Sequence, residues 1–158
     1  NINFDNYKYS FDVSYKDDLY HLELPLVGEH NVTNALLAIA TSIILGVEKE
    51  KIIEACSTTK SIPHRLEVQR RDTHLIIDDS YNSNFEGFSN ALDVLSKYKE
   101  KRILITPGLI ELGKYNKEYN SKIAEKIVTC CDEIILVKNK SSQYIKQRLL
   151  HCATAFIL

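Results

Sequence analysis

The sequence predicts an α/β protein with a mostly parallel sheet that helices cover on both faces. After Pro63, short apolar strand patterns alternate with amphipathic helical patterns, as in chains built from βα units. Before Pro63, an alternating hairpin pattern is followed by two helical patterns. Apolar residues make up 44% of the 158 residues, which is enough to bury a core.

The front of the chain is predicted to form a β-hairpin. Apolar side chains alternate with polar ones over residues 7–15 and again over residues 19–24. This period of two is typical of strands with one buried face. The polar turn Lys16-Asp17-Asp18 separates the two runs, so we expect them to pair as antiparallel strands.

Two helices are predicted after the break in the pattern at residues 25–28. From Asn31 to Gly46 the apolar residues cover one broad helical face, and a shorter helix is predicted over residues 48–57. Either His30 or Asn31 stands at the position of an N-cap.

The polar stretch 57–63 is predicted to be a linker between two domains, residues 1–60 and residues 61–158. We expect the strands behind the linker to share one sheet. The predicted strands are residues 66–69, 75–77, 102–106, 133–137 and 154–158. The predicted helices are residues 88–95, 119–128 and 142–149.

Composition argues against several classes of protein. The formal net charge is -1, so a broad basic face for nucleic acid is not expected. No apolar run is long enough for a membrane span, and the N-terminus does not resemble a signal peptide. No cysteine pair or nearby histidine has zinc-ligand spacing, so we expect a cytoplasmic protein with reduced thiols and predict no metal site. The cysteines are Cys56, Cys130, Cys131 and Cys152.

Asn31 and Asn34 are the first candidate site residues. They lie about one helical turn apart at the predicted helix start, so their side chains project near the same end. A side-chain amide offers a donor and an acceptor together, which the edge of an adenine requires. The alternative is an N-cap followed by a surface asparagine.

Further candidates flank the two strands behind the linker. Arg65 stands just past the linker, where its forked, permanently charged side chain could bind a phosphate. The alternative is a surface ion pair with Glu67 or another acid. Asp78 and Asp79 follow the end of the next strand, the place where open parallel sheets bind ligands. They could accept ribose hydroxyls or help to hold a cation, or they could only shape a turn.

Glycines mark one more turn, at residues 106–113. Gly108 and Gly113 permit tight turns, but the spacing G-x-x-x-x-G-K-[ST] of a phosphate loop occurs neither here nor elsewhere in the chain. A complete ATP site is therefore not expected from these residues alone.

Taken together, these segments resemble the Mur ligase family. In chain order they are Gly-x-His-Asn-x-x-Asn-Ala from Gly28, His-Arg-Leu-Glu from His64, Asp-Asp-Ser-Tyr-Asn-x-Asn from Asp78 and Glu-Leu-Gly from Glu111. The motifs are most similar to the branch that adds D-alanyl-D-alanine. Two positions depart from that branch: Phe85 replaces the usual Pro, and Thr106-Pro107-Gly108 replaces the usual Gly-Asp-Met.

The resemblance implies a three-domain, ATP- and Mg²⁺-dependent ligase of cell-wall precursor synthesis. Residues 1–60 would end the central ATP-binding domain, and residues 61–158 would form most of a Rossmann-like C-terminal domain. ATP would convert a carboxylate of the UDP-N-acetylmuramoyl-peptide to an acyl phosphate, which the amine of an amino acid or D-alanyl-D-alanine attacks. The phosphate loop and the main Mg²⁺ ligands would lie outside this chain, so we expect it to be inactive alone.

The resemblance also implies roles for single residues. Asn31 and Asn34 would contact the adenine, Asp79 would hold the ribose, and Asn34 and Asp79 would face a shared cleft in the full-length enzyme. Arg65 would contact the phosphates or ribose and supply the electrostatic part of catalysis. Asn82 and Asn84 would shape the turn after Asp79.

Two other interpretations of the sequence stay open. One is a ligase related to folylpolyglutamate synthase, which shares the architecture but fits the Asp-Asp-Ser-Tyr-Asn-x-Asn stretch less well. The other is a non-catalytic α/β module that binds a partner protein. Neither nucleic acid nor a membrane is expected as a partner.

Overall fold

The computed structural model describes residues 1–81 and 84–150. The chain divides into two compact units, Asn1–Asp78 and Asp79–Leu158. The boundary predicted between residues 60 and 61 rests on the polar linker rather than on compactness, and it stays a prediction.

Three antiparallel strands and two helices build the core of the first unit. The strands are β1 (Ile2–Asp5), β2 (Lys8–Tyr15) and β3 (Asp18–Leu24), in the order β1-β2-β3. The helices are α1 (His30–Ile44) and α2 (Lys49–Ser57). The predicted hairpin and both predicted helices are confirmed. Strand β1 was not predicted, because its four residues are too few to show a period.

Turn geometry and alternation explain how this sheet forms. Asn6 and Tyr7 join β1 to β2 with φ values of 47° and 64°, and a two-residue hairpin turn of this kind needs positive φ at both positions. One face of the sheet packs against α1 and α2. The buried residues of this core are Tyr9, Phe11, Tyr20, Leu22, Leu24, Val32, Ile39, Ile52 and Cys56.

A second antiparallel pair completes the first unit. Strand β4 (Glu67–Arg70) pairs with β5 (Leu75–Asp78), and Glu67 lies opposite Asp78. Only residues 71–74 join the two strands, whereas parallel neighbours need a crossover of about a dozen residues or more. The prediction that all strands behind the linker share one mostly parallel sheet is therefore wrong for this pair.

The second unit contains the parallel pair that the strand–helix alternation predicts. Its elements are α3 (Phe85–Ser96), β6 (Ile103–Thr106), a short 3₁₀ helix (Gly113–Tyr115), α4 (Asn116–Cys130), β7 (Glu133–Leu136) and α5 (Lys140–Leu149). Strands β6 and β7 are parallel, with α4 as their crossover, so the α/β class is confirmed.

Helices cover one face of the β6–β7 pair. Leu104 and Leu136 pack against a core that includes Ile123, Ile127 and Ile145, each of them 0% exposed. On the other face Ile103 and Ile105 are exposed, so coverage of both faces is not seen in residues 79–150. The predicted strand 154–158 lies outside the described residues. None of the helices in the described ranges is long and apolar enough to cross a membrane.

Candidate nucleotide-binding residues

The first turn of α1 places Asn31 differently from the prediction. Glu29 is the N-cap, with helical backbone angles already (φ −61°, ψ −29°), and no side chain caps the turn. The prediction that His30 or Asn31 is the N-cap is therefore wrong. Asn31 lies inside the helix, and its Nδ2 donates a hydrogen bond to the carbonyl oxygen of Val27 at 2.8 Å.

Asn31 and Asn34 line one cavity of about 270 Å³. Its other walls are mostly apolar and come from β3, α1 and α2, with Leu24, Ile39 and Ile52 among them. Pockets for drug-sized ligands measure about 300–1,000 Å³, so this cavity suits a flat base better than a whole nucleotide. The Asn34 side chain is exposed and makes no hydrogen bond within the described ranges.

His30 is a further polar residue of this turn, and the sequence patterns suggested it only as a cap. Its Nδ1 is buried and has no hydrogen-bond partner among the described residues. A buried polar atom left unpaired costs about 1–3 kcal/mol, so a ligand that supplies a partner would be stabilised here. A side chain at position 28 would collide with the His30 ring, because a Cβ on Gly28 would lie 2.6 Å from His30 Cε1. A glycine two residues before His30 is therefore the sequence feature that indicates a packed His30 ring.

Arg65 lies in a loop whose backbone conformation is uncommon. Its neighbours His64 and Leu66 have φ values of 64° and 49°, a region that disfavours residues with a Cβ. Leu66 is 6% exposed, and His64 Nδ1 lies 2.8 Å from Asp78 Oδ2, so the loop is anchored on both sides of Arg65. Arg65 itself is exposed. Its predicted contact with a phosphate stays a prediction.

The stretch after β5 contains the predicted ribose contact. Asp78 ends the strand, and Asp79 follows it and is half-buried. Asn84 Oδ1 accepts a hydrogen bond from the Gly87 N–H at 2.7 Å and caps α3, which begins at Phe85. Asn84 is thus an N-cap, and its role in shaping the turn after Asp79 stays a prediction. Asn82 lies outside the described residues, and the ribose role of Asp79 stays a prediction.

The glycine turn after β6 is held by Asn120, which the sequence patterns do not single out. Asn120 is 0% exposed. Its Oδ1 accepts a hydrogen bond from the Leu109 N–H, and its Nδ2 donates to the carbonyl oxygens of Leu109 and Asn116, all at 2.9 Å. Gly108 has φ +80°, and a Cβ there would lie 2.7 Å from Asn120 Oδ1. Both the backbone angle and the available space therefore require glycine.

Shifted pKa values occur at residues that are not predicted site residues. Arg102 donates hydrogen bonds to Asp132 from Nε at 3.1 Å and from Nη2 at 2.8 Å, and this lowers the pKa of Asp132 to about 2. Burial raises the pKa of the Cys131 thiol to about 12 and also raises the pKa of Cys56. These two thiols therefore stay protonated at neutral pH, as expected for cysteines that pack as small apolar residues.

Comparison with known sequences gives a family match for more than half of the chain. Residues 64–155 match the family described as "Mur ligase, glutamate ligase domain". The UDP-N-acetylmuramoyl-tripeptide–D-alanyl-D-alanine ligase of Escherichia coli K12 is 32% identical over 123 residues, which are 77% of this chain and 27% of that enzyme. The UDP-N-acetylmuramate–L-alanine ligase of a Hydrogenobaculum species is 35% identical over 122 residues, 75% of this chain and 26% of that enzyme. The chain thus spans less than a third of the length of these relatives.

Solved structures show the same fold. MurF from Acinetobacter baumannii superposes with a TM-score of 0.85 at 24% identity, covering 99% of this chain and 34% of that one. MurF from Thermotoga maritima in complex with ADP gives a TM-score of 0.82 at 19% identity, covering 99% and 35%. Folylpolyglutamate synthase from Thermotoga maritima gives 0.67 at 18% identity, covering 96% and 37%. At these identities the likeness concerns the fold alone.

Proposed function

We propose that this chain, which belongs to the Mur ligase family by its match over residues 64–155, is part of an ATP-dependent ligase. The ligase would add D-alanyl-D-alanine to a UDP-N-acetylmuramoyl-tripeptide, in the cytoplasm where ATP is available. The similarity to the Escherichia coli enzyme with this substrate, at 32% identity, supports the choice of dipeptide. The observation that carries the nucleotide part is the apolar cavity that Asn31 and Asn34 line.

Each predicted site residue has a part in this proposal. Asn31 and Asn34 present side-chain amides to the adenine edge, and the flat base fits the apolar cavity. Asp79 accepts hydrogen bonds from the ribose hydroxyls. Arg65 neutralises phosphate charge as the phosphoryl group moves to the substrate carboxylate. Mg²⁺ would supply further charge neutralisation on ATP. The amine of the dipeptide then displaces phosphate and forms the amide.

A phosphate-release assay on the ligase that carries this segment tests the proposal. We expect ATP-dependent release that requires both UDP-N-acetylmuramoyl-tripeptide and D-alanyl-D-alanine. Release with L-alanine and UDP-N-acetylmuramate, or with a folate and glutamate, would instead assign another substrate. No release with any of these pairs would favour the non-catalytic module.

The Asn34→Ala variant tests the adenine contact. Losing one hydrogen bond of about 1.4 kcal/mol should raise the KM for ATP about tenfold and change kcat little. The matched control is Asn139→Ala, because Asn139 caps α5 in the second unit and has no predicted ligand. An unchanged KM in Asn34→Ala would remove Asn34 from the site.

The 158-residue chain by itself should bind ATP only weakly. It contains no phosphate loop, and backbone N–H groups of such loops hold the phosphates in ATP sites. Base and ribose contacts alone should give a Kd in the millimolar range, about 4 kcal/mol. Isothermal titration with ATP and magnesium measures this value. Micromolar affinity would mean that the chain holds a complete site.

A further inference from the structure

Three side chains at one end of the β4–β5 pair bring potential metal ligands together. One ligand atom each from His64, Glu67 and Asp78 lies within 4.8 Å of the other two. His64 Nδ1 lies 2.8 Å from Asp78 Oδ2, and Glu67 Oε2 accepts a hydrogen bond from the His64 backbone N–H at 3.3 Å. No other group of this kind occurs in residues 1–81 and 84–150.

The two carboxylates of this group face each other across the strand pair. Glu67 and Asp78 are register partners, so their side chains share one face of the pair, and like charges in this position destabilise it. Both residues are half-buried, which weakens the screening of their repulsion by water. A divalent cation between the two carboxylates would balance both negative charges.

We propose that His64, Glu67 and Asp78 bind a divalent transition-metal ion, for which Zn²⁺ has the best-matched ligand chemistry. Zn²⁺ accepts imidazole nitrogen and carboxylate oxygen, whereas Mg²⁺ prefers oxygen ligands throughout. Tetrahedral zinc ligands are roughly 3.4 Å apart, since each lies about 2.0–2.2 Å from the ion. Small side-chain rotations would bring this group to that spacing. The His64 side chain is 57% exposed, so it can rotate and leaves the solvent side for a further ligand.

The proposed metal site does not depend on the proposed ligase activity. All three ligands belong to the first unit and lie between residues 64 and 78. In the chain, however, His64 precedes Arg65 and Asp78 precedes Asp79. A bound ion would therefore restrain the two segments that carry these predicted nucleotide contacts.

Isothermal titration of ZnCl₂ into untagged, chelator-treated protein tests the proposal. We expect one Zn²⁺ bound per chain, with no competition from millimolar Mg²⁺. His64→Gln and Asp78→Asn should each weaken binding about 100-fold or more, because even residues that only orient metal ligands contribute 10–100-fold. Glu67→Gln should weaken binding similarly, and it keeps the contact between His64 and Asp78, so this variant should fold even if Asp78→Asn does not.

His21→Gln is the matched control. His21 Nδ1 lies 2.6 Å from Asp12 Oδ1, and the two residues are also opposite each other on neighbouring strands. This pair belongs to no group of three possible ligands in the described residues, so the variant should bind Zn²⁺ normally. Absence of binding in the unmodified protein would overturn the proposal. Undiminished binding in both His64→Gln and Glu67→Gln would also overturn it, and would assign the ion to other residues such as the cysteines.

Discussion

Asparagines at the helix starts have different partners in the two units. In the second unit, Asn84 and Asn139 accept backbone N–H hydrogen bonds that cap α3 and α5, and Asn120 holds the turn after β6. In the first unit, α1 has no side-chain cap, although Asn31 and Asn34 lie in its first two turns. The Asn31 side chain donates to the segment ahead of the helix, and the Asn34 side chain makes no hydrogen bond in the described residues.

This difference separates side-chain amides that satisfy backbone groups from side-chain amides that remain accessible to a ligand. A side chain that satisfies backbone groups contributes to the free energy of unfolding, typically about 1 kcal/mol for an N-cap. Helix α1 lacks that contribution, while the Asn34 amide stays accessible at the cavity. Substitutions in the two units should therefore change different quantities: stability in the second unit and ligand binding in the first.

The largest expected effect is that of Asn120→Ala. The substitution leaves the buried N–H and carbonyl groups of Leu109 without their partner and opens a small cavity. We expect the free energy of unfolding to fall by about 3–5 kcal/mol, measured by chemical denaturation. The control is Asn34→Ala, which should change it by less than about 0.5 kcal/mol. Similar losses in both variants would contradict the distinction between the units.

The next largest effect should be that of Arg65→Lys on catalysis. Lysine keeps the charge but loses the planar fork that can bind two phosphate oxygens. We expect the transition-state free energy of the full ligase to rise by about 2–4 kcal/mol, which lowers its turnover number. The melting temperature should change little, since an exposed ion pair contributes at most about 1 kcal/mol.

Arg71→Lys is the control for that experiment, because Arg71 is an exposed arginine of the neighbouring β4–β5 turn. Its turnover number should stay close to that of the unmodified enzyme. Near-normal turnover in Arg65→Lys would assign Arg65 to structure and remove its proposed catalytic role.

A smaller effect is expected from Asn139→Ala. Asn139 accepts a hydrogen bond from the Ser142 N–H at 2.7 Å, and Ser142 Oγ accepts one from the Asn139 N–H at 3.0 Å, which together form a capping box. Losing the side-chain cap should cost about 1 kcal/mol of unfolding free energy. Asn139→Ser, which retains a capping oxygen, should recover most of this loss. An equal loss in both variants would mean that the cap is not the cause.

The smallest expected effect is the pH dependence of the stability that the Arg102–Asp132 pair contributes. The hydrogen bonds from Arg102 lower the pKa of Asp132 from 3.8 to about 2. A lowered pKa means that the pair stabilises the fold above pH 4 and loses this contribution as the pH falls towards 2. The difference in melting temperature between the unmodified protein and Asp132→Asn should therefore shrink over this range. A difference that is constant between pH 7 and pH 2 would contradict the assignment.

Local periodicity accounts for what the sequence could predict of the fold. The hairpin, α1, α2 and the strand–helix order of the second unit all follow from patterns that span a few turns or a few alternations. Strand partners could not be predicted in the same way. The pairing of β4 with β5 depends on the short connection at residues 71–74, and β1 is too short to be seen without its neighbour β2.

The candidate site residues likewise divide into those that a local sequence pattern indicates and those that depend on tertiary contacts. That Asn31 and Asn34 lie together could be predicted, because their helical spacing brings them to one cavity, and their contact with adenine stays a prediction. The N-cap at Glu29 could not, since cap preferences favour asparagine and the backbone angles decide otherwise. Asn120 resembles a surface residue inside a polar helix, and only tertiary packing buries it. The group at His64, Glu67 and Asp78 depends on cross-strand register, which no local pattern contains.

Asn120 also bears on the order in which the second unit folds. Its partners Leu109 and Asn116 are 11 and 4 residues away, so closing these contacts costs little chain entropy. Contacts of such short range tend to form early. We therefore expect the turn after β6 and the start of α4 to belong to the folding nucleus, with α5 docking later. Asn120→Ala should then slow folding much more than it speeds unfolding.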